Sequence, residues 1–252
     1  MDRLSLPSVT LCAATSVNLQ ATVQALHACL NQIDFAECLL LTHERQPTDD
    51  PAIRVVSVSP MYSSQAYSRF MLHDLLDHVQ TEHCLVVQWD GFVLDSRQWS
   101  PEFLKYDYIG AWWPQFSDGH DVGNGGFSLR SRKLMQACRD PSFRSEHPED
   151  VAICRLNRSL LEERHGIRFA NRACAERFSF ERDRCGQPTF GFHGVFNMVP
   201  VLGRERFWQV YRSLDERAGL RVDRRLLWRQ LGGDRDALAR RSRFLADHLL
   251  LR

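Results

Sequence analysis

The sequence predicts an α/β protein built on a single, Rossmann-like, mostly parallel sheet flanked by helices, with a helical tail at the carboxyl end. Three observations carry this reading. Short apolar runs without alternation recur along the first two hundred residues, the signature of strands buried on both faces. Helix-spaced apolar positions separate these runs, so strands and helices alternate as in a doubly wound sheet. Beyond residue 200 the strand pattern stops and arginines take over.

Taken in order, Ser8–Ala14 reads as a first buried strand. Thr15, Ser16 and Asn18 offer caps to a helix over Asn18–Ile33, whose Val23, Leu26, Leu30 and Ile33 roughly follow helical spacing. Glu37–Thr42 and Arg54–Val58 follow as the second and third strands. A helix over Ser64–Val79 places Phe70, Leu72, Leu75, Leu76 and Val79 inward. Its first turns carry hydroxyls and Arg69, which suits either an anion site or an ordinary capped start.

Cys84–Val87 is the central strand, and it breaks into Gln88-Trp89-Asp90-Gly91. Ligands of open α/β sheets lie beyond the carboxyl ends of the strands. A carboxylate there, followed by a glycine, is placed either to meet a ligand or to turn a solvated corner. The aromatic segment Tyr106–Pro114, which includes Trp112, supplies a stacking platform or core. Gly123-Asn124-Gly125-Gly126 then lets the backbone approach a ligand closely, or simply turns into the strand Phe127–Arg130, with a helix over Ser131–Asp140. The loop lacks the Lys-Ser/Thr of a phosphate-binding P-loop. Pro148-Glu149-Asp150 opens a helix to about His165, where the acids either complement the helix dipole or act chemically. Gly166–Ala170 reads as a short strand, and Phe190–Asn197 sets His193 among aromatics and glycines.

The totals narrow the class. The chain has 252 residues, 44% hydrophobic and 25% charged, with a net charge of +1, so the whole molecule is no binder of nucleic acid. Eight cysteines (12, 29, 38, 84, 138, 154, 174 and 185) show no C-x-x-C spacing, which argues against a zinc knuckle. The first residues lack a signal region, and no apolar run reaches the ~18 residues of a membrane span. The expectation is a cytoplasmic protein with free thiols. We divide the chain into an α/β domain over 1–200 and a helical extension over 201–252. The extension holds 13 arginines against 7 acidic residues, a surplus of six that leaves the rest near −5. Phe207, Val210, Tyr211 and Leu214 suit one helix, and Leu226, Leu227, Leu231, Leu245, Leu249 and Leu250 two more. Such a tail packs on the sheet, self-associates, or meets anionic lipid at the inner face of a membrane.

Six pieces in this order resemble small bacterial and fungal glycosyltransferase-like domains of the A-type glycosyltransferase fold: Tyr67-Ser68-Arg69-Phe70, Gln88-Trp89-Asp90-Gly91, Tyr108-Ile109-Gly110-Ala111, Gly123–Arg130, Glu149-Asp150-Val151 and Phe190–Gly194. The resemblance covers roughly residues 8–200. More distantly, the layout is similar to β-1,4-galactosyltransferases. It implies that Asp90 is the last acid of an Asp-x-Asp metal motif and that His193 completes the metal site, holding Mn2+ or Mg2+. It makes Asp150, or Glu149 beside it, the catalytic base. Gly125 and Gly126, with Asn124 and Trp112, fall on the acceptor side. Ala13, Ala14 and Thr15 lie near the nucleotide, and Arg69, Gln88, Asp90 and Arg130 near the donor diphosphate. Gln88 stands where the family motif has its first Asp, which weakens a site for a hard cation. Either the metal is held by Asp90, His193 and the diphosphate itself, or it is absent and Arg69 or Arg130 neutralises the leaving group.

The implied activity is transfer of a sugar, with inversion, from a nucleoside diphosphate sugar to a hydroxyl of a glycan or glycolipid, in glycan or polysaccharide synthesis. Two rival readings are a non-catalytic nucleotide-sugar or glycan binder, which Gln88 favours, and a metal-dependent hydrolase using Asp90, Asp150 and His193.

Overall fold

The structure is a computed structural model and describes residues 3–183 and 186–250. Cys185 and the Met1-Asp2 start of the amino-terminal segment lie outside the described residues. The other seven cysteines are buried free thiols. The chain divides into two units, Met1–His193 and Gly194–Arg252; the sequence reading puts the change of character at 200/201.

The first unit begins with β1 (Leu4–Ala14), α1 (Leu19–Leu30), β2 (Ile33–Thr42) and β3 (Arg54–Ser57). A helix follows in three pieces: α2 (Ser64–Arg69), a wide π turn over Phe70–Asp74, and α3 (Leu75–His78). Then come β4 (His83–Val87), β5 (Tyr108–Ile109), β6 (Ala111–Trp112), β7 (Val122–Gly123) and β8 (Phe127–Ser131). The main sheet has six strands in the order β3-β2-β1-β4-β8-β5. β3, β2, β1 and β4 are parallel, β8 is antiparallel to β4, and β5 is antiparallel to β8. The sheet is therefore mostly parallel and helix-flanked, as the alternation of patterns predicts. Every residue of β4 is buried, which is why it reads as an unbroken apolar run. Phe70, Leu75 and Leu76 pack on Cys12, Leu39, Leu41 and Val86. Side chains buried this fully contribute about 1.5–3 kcal/mol each.

Several elements differ from the sequence expectation. α1 stops at Leu30, and Ile33 opens β2, because Leu4–Leu6 lies alongside Ile33–Phe35 and draws that backbone into the sheet. The helix expected from Pro148 to His165 is broken. α4 (Arg132–Ala137) is followed by α5 (Glu149–Val151), a π turn over Ala152–Leu156, and a second over Leu160–Arg164. Asn157 interrupts it, donating to the carbonyls of Ala152 and Arg144 at 2.9 and 3.0 Å. The expected strand at 166–170 is reduced to a bridge between Phe169 and Tyr108. α6 (Arg172–Phe178) then leads into β9 (Ser179–Phe180), which pairs in parallel with β10 (Gly191–Phe192). That small pair ends at His193.

The second unit is helical: α7 (Val195–Leu202), α8 (Arg204–Ser213), α9 (Arg224–Gln230) and α10 (Ala237–Leu250). Its interior gathers Phe207, Tyr211, Leu227, Leu231 and Phe244, with the Tyr211 and Phe244 rings 5.4 Å apart. Among the described residues no helix is long and apolar enough to cross a membrane.

Candidate functional site

β1 and β4 run in parallel with Cys12 beside Val86, so Ala14–Thr15 and Gln88 leave the sheet side by side at its carboxyl end. β4 closes into a tight turn: Gln88 and Gly91 exchange backbone hydrogen bonds at 3.1 and 3.0 Å. This turn aims Gln88 and Asp90 at His193. The ring Nε2 of His193 lies 3.2 Å from Oε1 of Gln88 and 3.6 Å from Oδ1 of Asp90. The other ring nitrogen, Nδ1, lies 3.3 Å from Oε1 of Glu181. The His193 amide donates to the Phe180 carbonyl at 3.0 Å, which fixes the backbone from which the ring projects. Gln88 is anchored in turn, its Nε2 donating to the Tyr67 hydroxyl at 3.0 Å. Burial disfavours a charged imidazole, but the Asp90 and Glu181 carboxylates outweigh it and push the His193 pKa up to about 9. Burial would raise Glu181, yet the hydrogen bond to His193 holds it below its ordinary value.

The glycines make room for these side chains. A Cβ on Gly126 would stand 2.1 Å from Nε2 of His193, and one on Gly91 2.8 Å from its Cδ2. A Cβ on Gly125 would stand 2.1 Å from Oε1 of Glu149. Neither Gly125 nor Gly126 has a positive φ; the left-handed residue of the loop is Asn124, at 76°. Asn124 is buried, and its side-chain oxygen accepts from the Gly126 amide at 3.0 Å. The loop is glycine-rich because its backbone lies against His193 on one side and Glu149 on the other.

The two adjacent acids have different environments. Glu149 is 5% exposed; its Oε1 accepts from Nη2 of Arg130 at 3.1 Å, and its Oε2 from the Ser68 hydroxyl at 3.3 Å. Asp150 is half-buried. Its Oδ2 accepts from the Gly125 amide at 3.1 Å and its Oδ1 from the Val151 amide at 2.8 Å. Burial, and then the charge of Glu149, push the Asp150 pKa up to about 6. Asp150 is thus an acid poised to exchange a proton near neutrality, whereas Glu149 is enclosed in an ion pair. Asp150 is also among the carboxylates whose charge raises His193, so the two ends of the glycine loop share one electrostatic site.

The structure brings together Gln88, Asp90, Asn124, Gly125, Gly126, Asp150 and His193. Arg130 is 1% exposed and turned onto Glu149, the Gly125 carbonyl and Ser128 rather than toward solvent. Arg69 is exposed and lines a cleft of about 570 Å3 with Ser68, His73 and His147. Trp112 is half-buried; its indole donates to Asp121 at 3.1 Å, and the Arg172 guanidinium covers its ring at 3.6 Å. Sequence reasoning missed Glu181, Tyr67 and Ser68 as parts of the site. Tyr67 and Ser68 fall in the piece Tyr67-Ser68-Arg69-Phe70 but carry no assigned role there, and Glu181 gives no signal within its charged surroundings.

Residues 52–193 match the model of a protein family described as a protein of unknown function (DUF5672). No curated protein matches the sequence. Among solved structures, the chain is similar to a mannosyltransferase from Pyrobaculum calidifontis in complex with GDP-Man and Mn2+, at 12% identity and a TM-score of 0.44, over 99% of this chain and 78% of that one. It is also similar to a glycosyltransferase involved in the glycosylation of the major capsid of PBCV-1, at 9% identity and a TM-score of 0.46, over 82% of this chain and 100% of that one.

Proposed function

The chain belongs to the DUF5672 family of proteins of unknown function, and from the site it carries we propose that it is a glycosyltransferase that moves a sugar from a nucleoside diphosphate sugar to an acceptor hydroxyl of a glycan or glycolipid. One observation supports this above all. A single glycine loop touches His193 through Gly126 and Asp150 through Gly125. In this reading the His193 end of that loop serves the donor diphosphate and the Asp150 end accepts the proton.

In this reading Asp150 takes the proton of the acceptor hydroxyl as that oxygen attacks the anomeric carbon from the face opposite the diphosphate; the bond from that carbon to the β-phosphate oxygen breaks, its electron pair leaves with the nucleoside diphosphate, and the configuration inverts. General-base assistance of this kind contributes roughly 10²–10⁴-fold. The Gly125 and Val151 amides hold the Asp150 carboxylate in place while it does so. Ala14, Thr15 and Gln88 form the edge on which the nucleotide lies. Among the described residues no group of three His, Cys, Asp or Glu side chains cages a metal. The donor set at the β4 turn nevertheless fits one: a carboxylate oxygen of Asp90, the amide oxygen of Gln88 and an imidazole nitrogen of His193 converge, and Glu181 orients the ring from its far side. When bound, Mn2+ or Mg2+ would offset the charge developing on the diphosphate. Asp90 and His193 would hold it, with Gln88 beside them.

The amide of Gln88 bridges Tyr67 and His193, and this tie favours a second reading, a nucleotide-sugar binder without turnover. A thermal-shift panel of nucleoside diphosphates and nucleotide sugars, with and without Mn2+, tests both, since a ligand of the folded state raises the melting temperature. The transferase reading expects a shift with one donor and transfer of its sugar, with Asp150→Asn abolishing transfer while the shift persists. A shift without turnover selects the binder, and no shift across the panel rejects both.

A further inference from the structure

Among the described residues, seven large apolar side chains are strongly exposed, and five of them lie in the second unit: Val222, Leu226, Trp228, Leu238 and Leu245. Val222 lies just before α9, and Leu226 and Trp228 lie on it. Leu238 and Leu245 are two turns apart on α10, where spacing i, i+7 aligns them along one stripe. The inward stripe of α10 is carried by Arg240 and Phe244, 4% and 1% exposed, so Leu238, at 81%, has no role in the core of the unit. The Arg241 guanidinium stacks over the Trp228 ring at 4.2 Å.

An apolar surface of this kind marks a contact, and charge decides with what. Residues 201–252 carry 13 arginines against 7 acids. Arg224, Arg225 and Arg229 are exposed beside Leu226 on the same helix. The same face of a second copy would bring two surfaces of like charge together. A bilayer with anionic headgroups supplies both things this surface lacks, an apolar layer and negative charge. We infer that the carboxyl-terminal unit docks on the surface of an anionic phospholipid bilayer, with its leucines entering at headgroup level and its arginines on lipid phosphates. This inference is independent of the catalytic reading.

Co-sedimentation of the full chain with vesicles tests it. Vesicles of phosphatidylcholine alone are compared with vesicles containing about one third phosphatidylglycerol. At least tenfold stronger binding to the anionic vesicles is expected, and its loss at roughly 0.5 M salt, where the screening length shrinks to a few ångströms. Leu238→Glu/Leu245→Glu and Arg224→Glu/Arg225→Glu should each weaken binding at least tenfold while leaving the circular dichroism and the melting temperature unchanged, because all four side chains are exposed. Equal binding to both vesicle types, binding to neither, or double variants that sediment like the native chain would overturn the inference. So would a dimer seen by light scattering that Leu238→Glu/Leu245→Glu abolishes in a protein that ignores vesicles.

Discussion

Nη2 of Arg130 lies 3.1 Å from Oε1 of Glu149, and neither side chain is as much as a tenth exposed. The same Nη2 donates to the Gly125 carbonyl at 3.3 Å, so the ion pair also holds the loop whose amide binds Asp150. Removing one partner leaves the other charge buried and alone. Arg130→Met should therefore destabilise the protein by about 3–5 kcal/mol, whereas Arg130→Met/Glu149→Met should recover most of that loss. Urea unfolding of the two variants checks this. A double variant as unstable as the single one would mean that the pair is retained for more than its own charge balance.

Gly126 and Gly125 make a matched pair of tests. Gly126→Ala drives a Cβ onto the His193 ring, and Gly125→Ala drives one onto the Glu149 carboxylate. Overpacking of this kind costs roughly 1–3 kcal/mol in either case. The functional effects should differ. Gly126→Ala displaces the ring facing Asp90 and should weaken Mn2+ binding at least tenfold by calorimetry. Gly125→Ala should leave Mn2+ binding near the native value and instead lower turnover through Asp150.

Much of this site was legible because its members punctuate apolar runs. Asp90 interrupts the run from Cys84 to Leu94, the glycines interrupt the approach to β8, and His193 stands between Gly191-Phe192 and Gly194. What sequence could not resolve was direction. Glu149 and Asp150 are neighbours, and only the fold turns one onto Arg130 and leaves the other half-exposed. Arg130 looked available to a ligand because an arginine is normally a surface residue, yet β8 is buried along its whole length. Glu181 meets His193 only because β9 and β10 pair, and two-residue strands leave no periodicity to detect. The end of α1 differs from its spacing for a similar reason: Ile33 continues the helical pattern, but its strand partner Leu4 lies 29 residues earlier.

Asp150 makes a prediction about pH. Its pKa is raised to about 6, so the carboxylate needed as a base forms only above that pH. kcat/KM should fall about tenfold per unit as pH drops below 6. The sign for stability is opposite. The folded pKa lies above the ordinary aspartate value of 3.8, so ionising Asp150 costs more in the folded protein than in the unfolded chain. This cost is absent below about pH 4, grows between 4 and 6, and is complete above 6. The melting temperature of Asp150→Asn relative to the native protein should therefore be higher at pH 7.5 than at pH 4. A constant difference would mean that Asp150 titrates normally.

Glu181 is the last test, because it separates orientation from ligation. Its carboxylate meets Nδ1 of His193, whereas Asp90 and Gln88 face Nε2, so it stands behind the ring and not at the converging donors. A carboxylate in that position fixes the tautomer and the angle of a metal-binding imidazole, and losing it typically costs 10–100-fold in metal affinity. Glu181→Ala should weaken Mn2+ binding by about that factor in calorimetry. Glu181→Gln, whose amide oxygen can still accept from Nδ1, should lose less. His193→Ala should abolish binding altogether. If the native chain binds no Mn2+, the donor set at the β4 turn is wrong. If it binds Mn2+ and both Glu181 variants match it, the site stands but Glu181 has no part in orienting the ring.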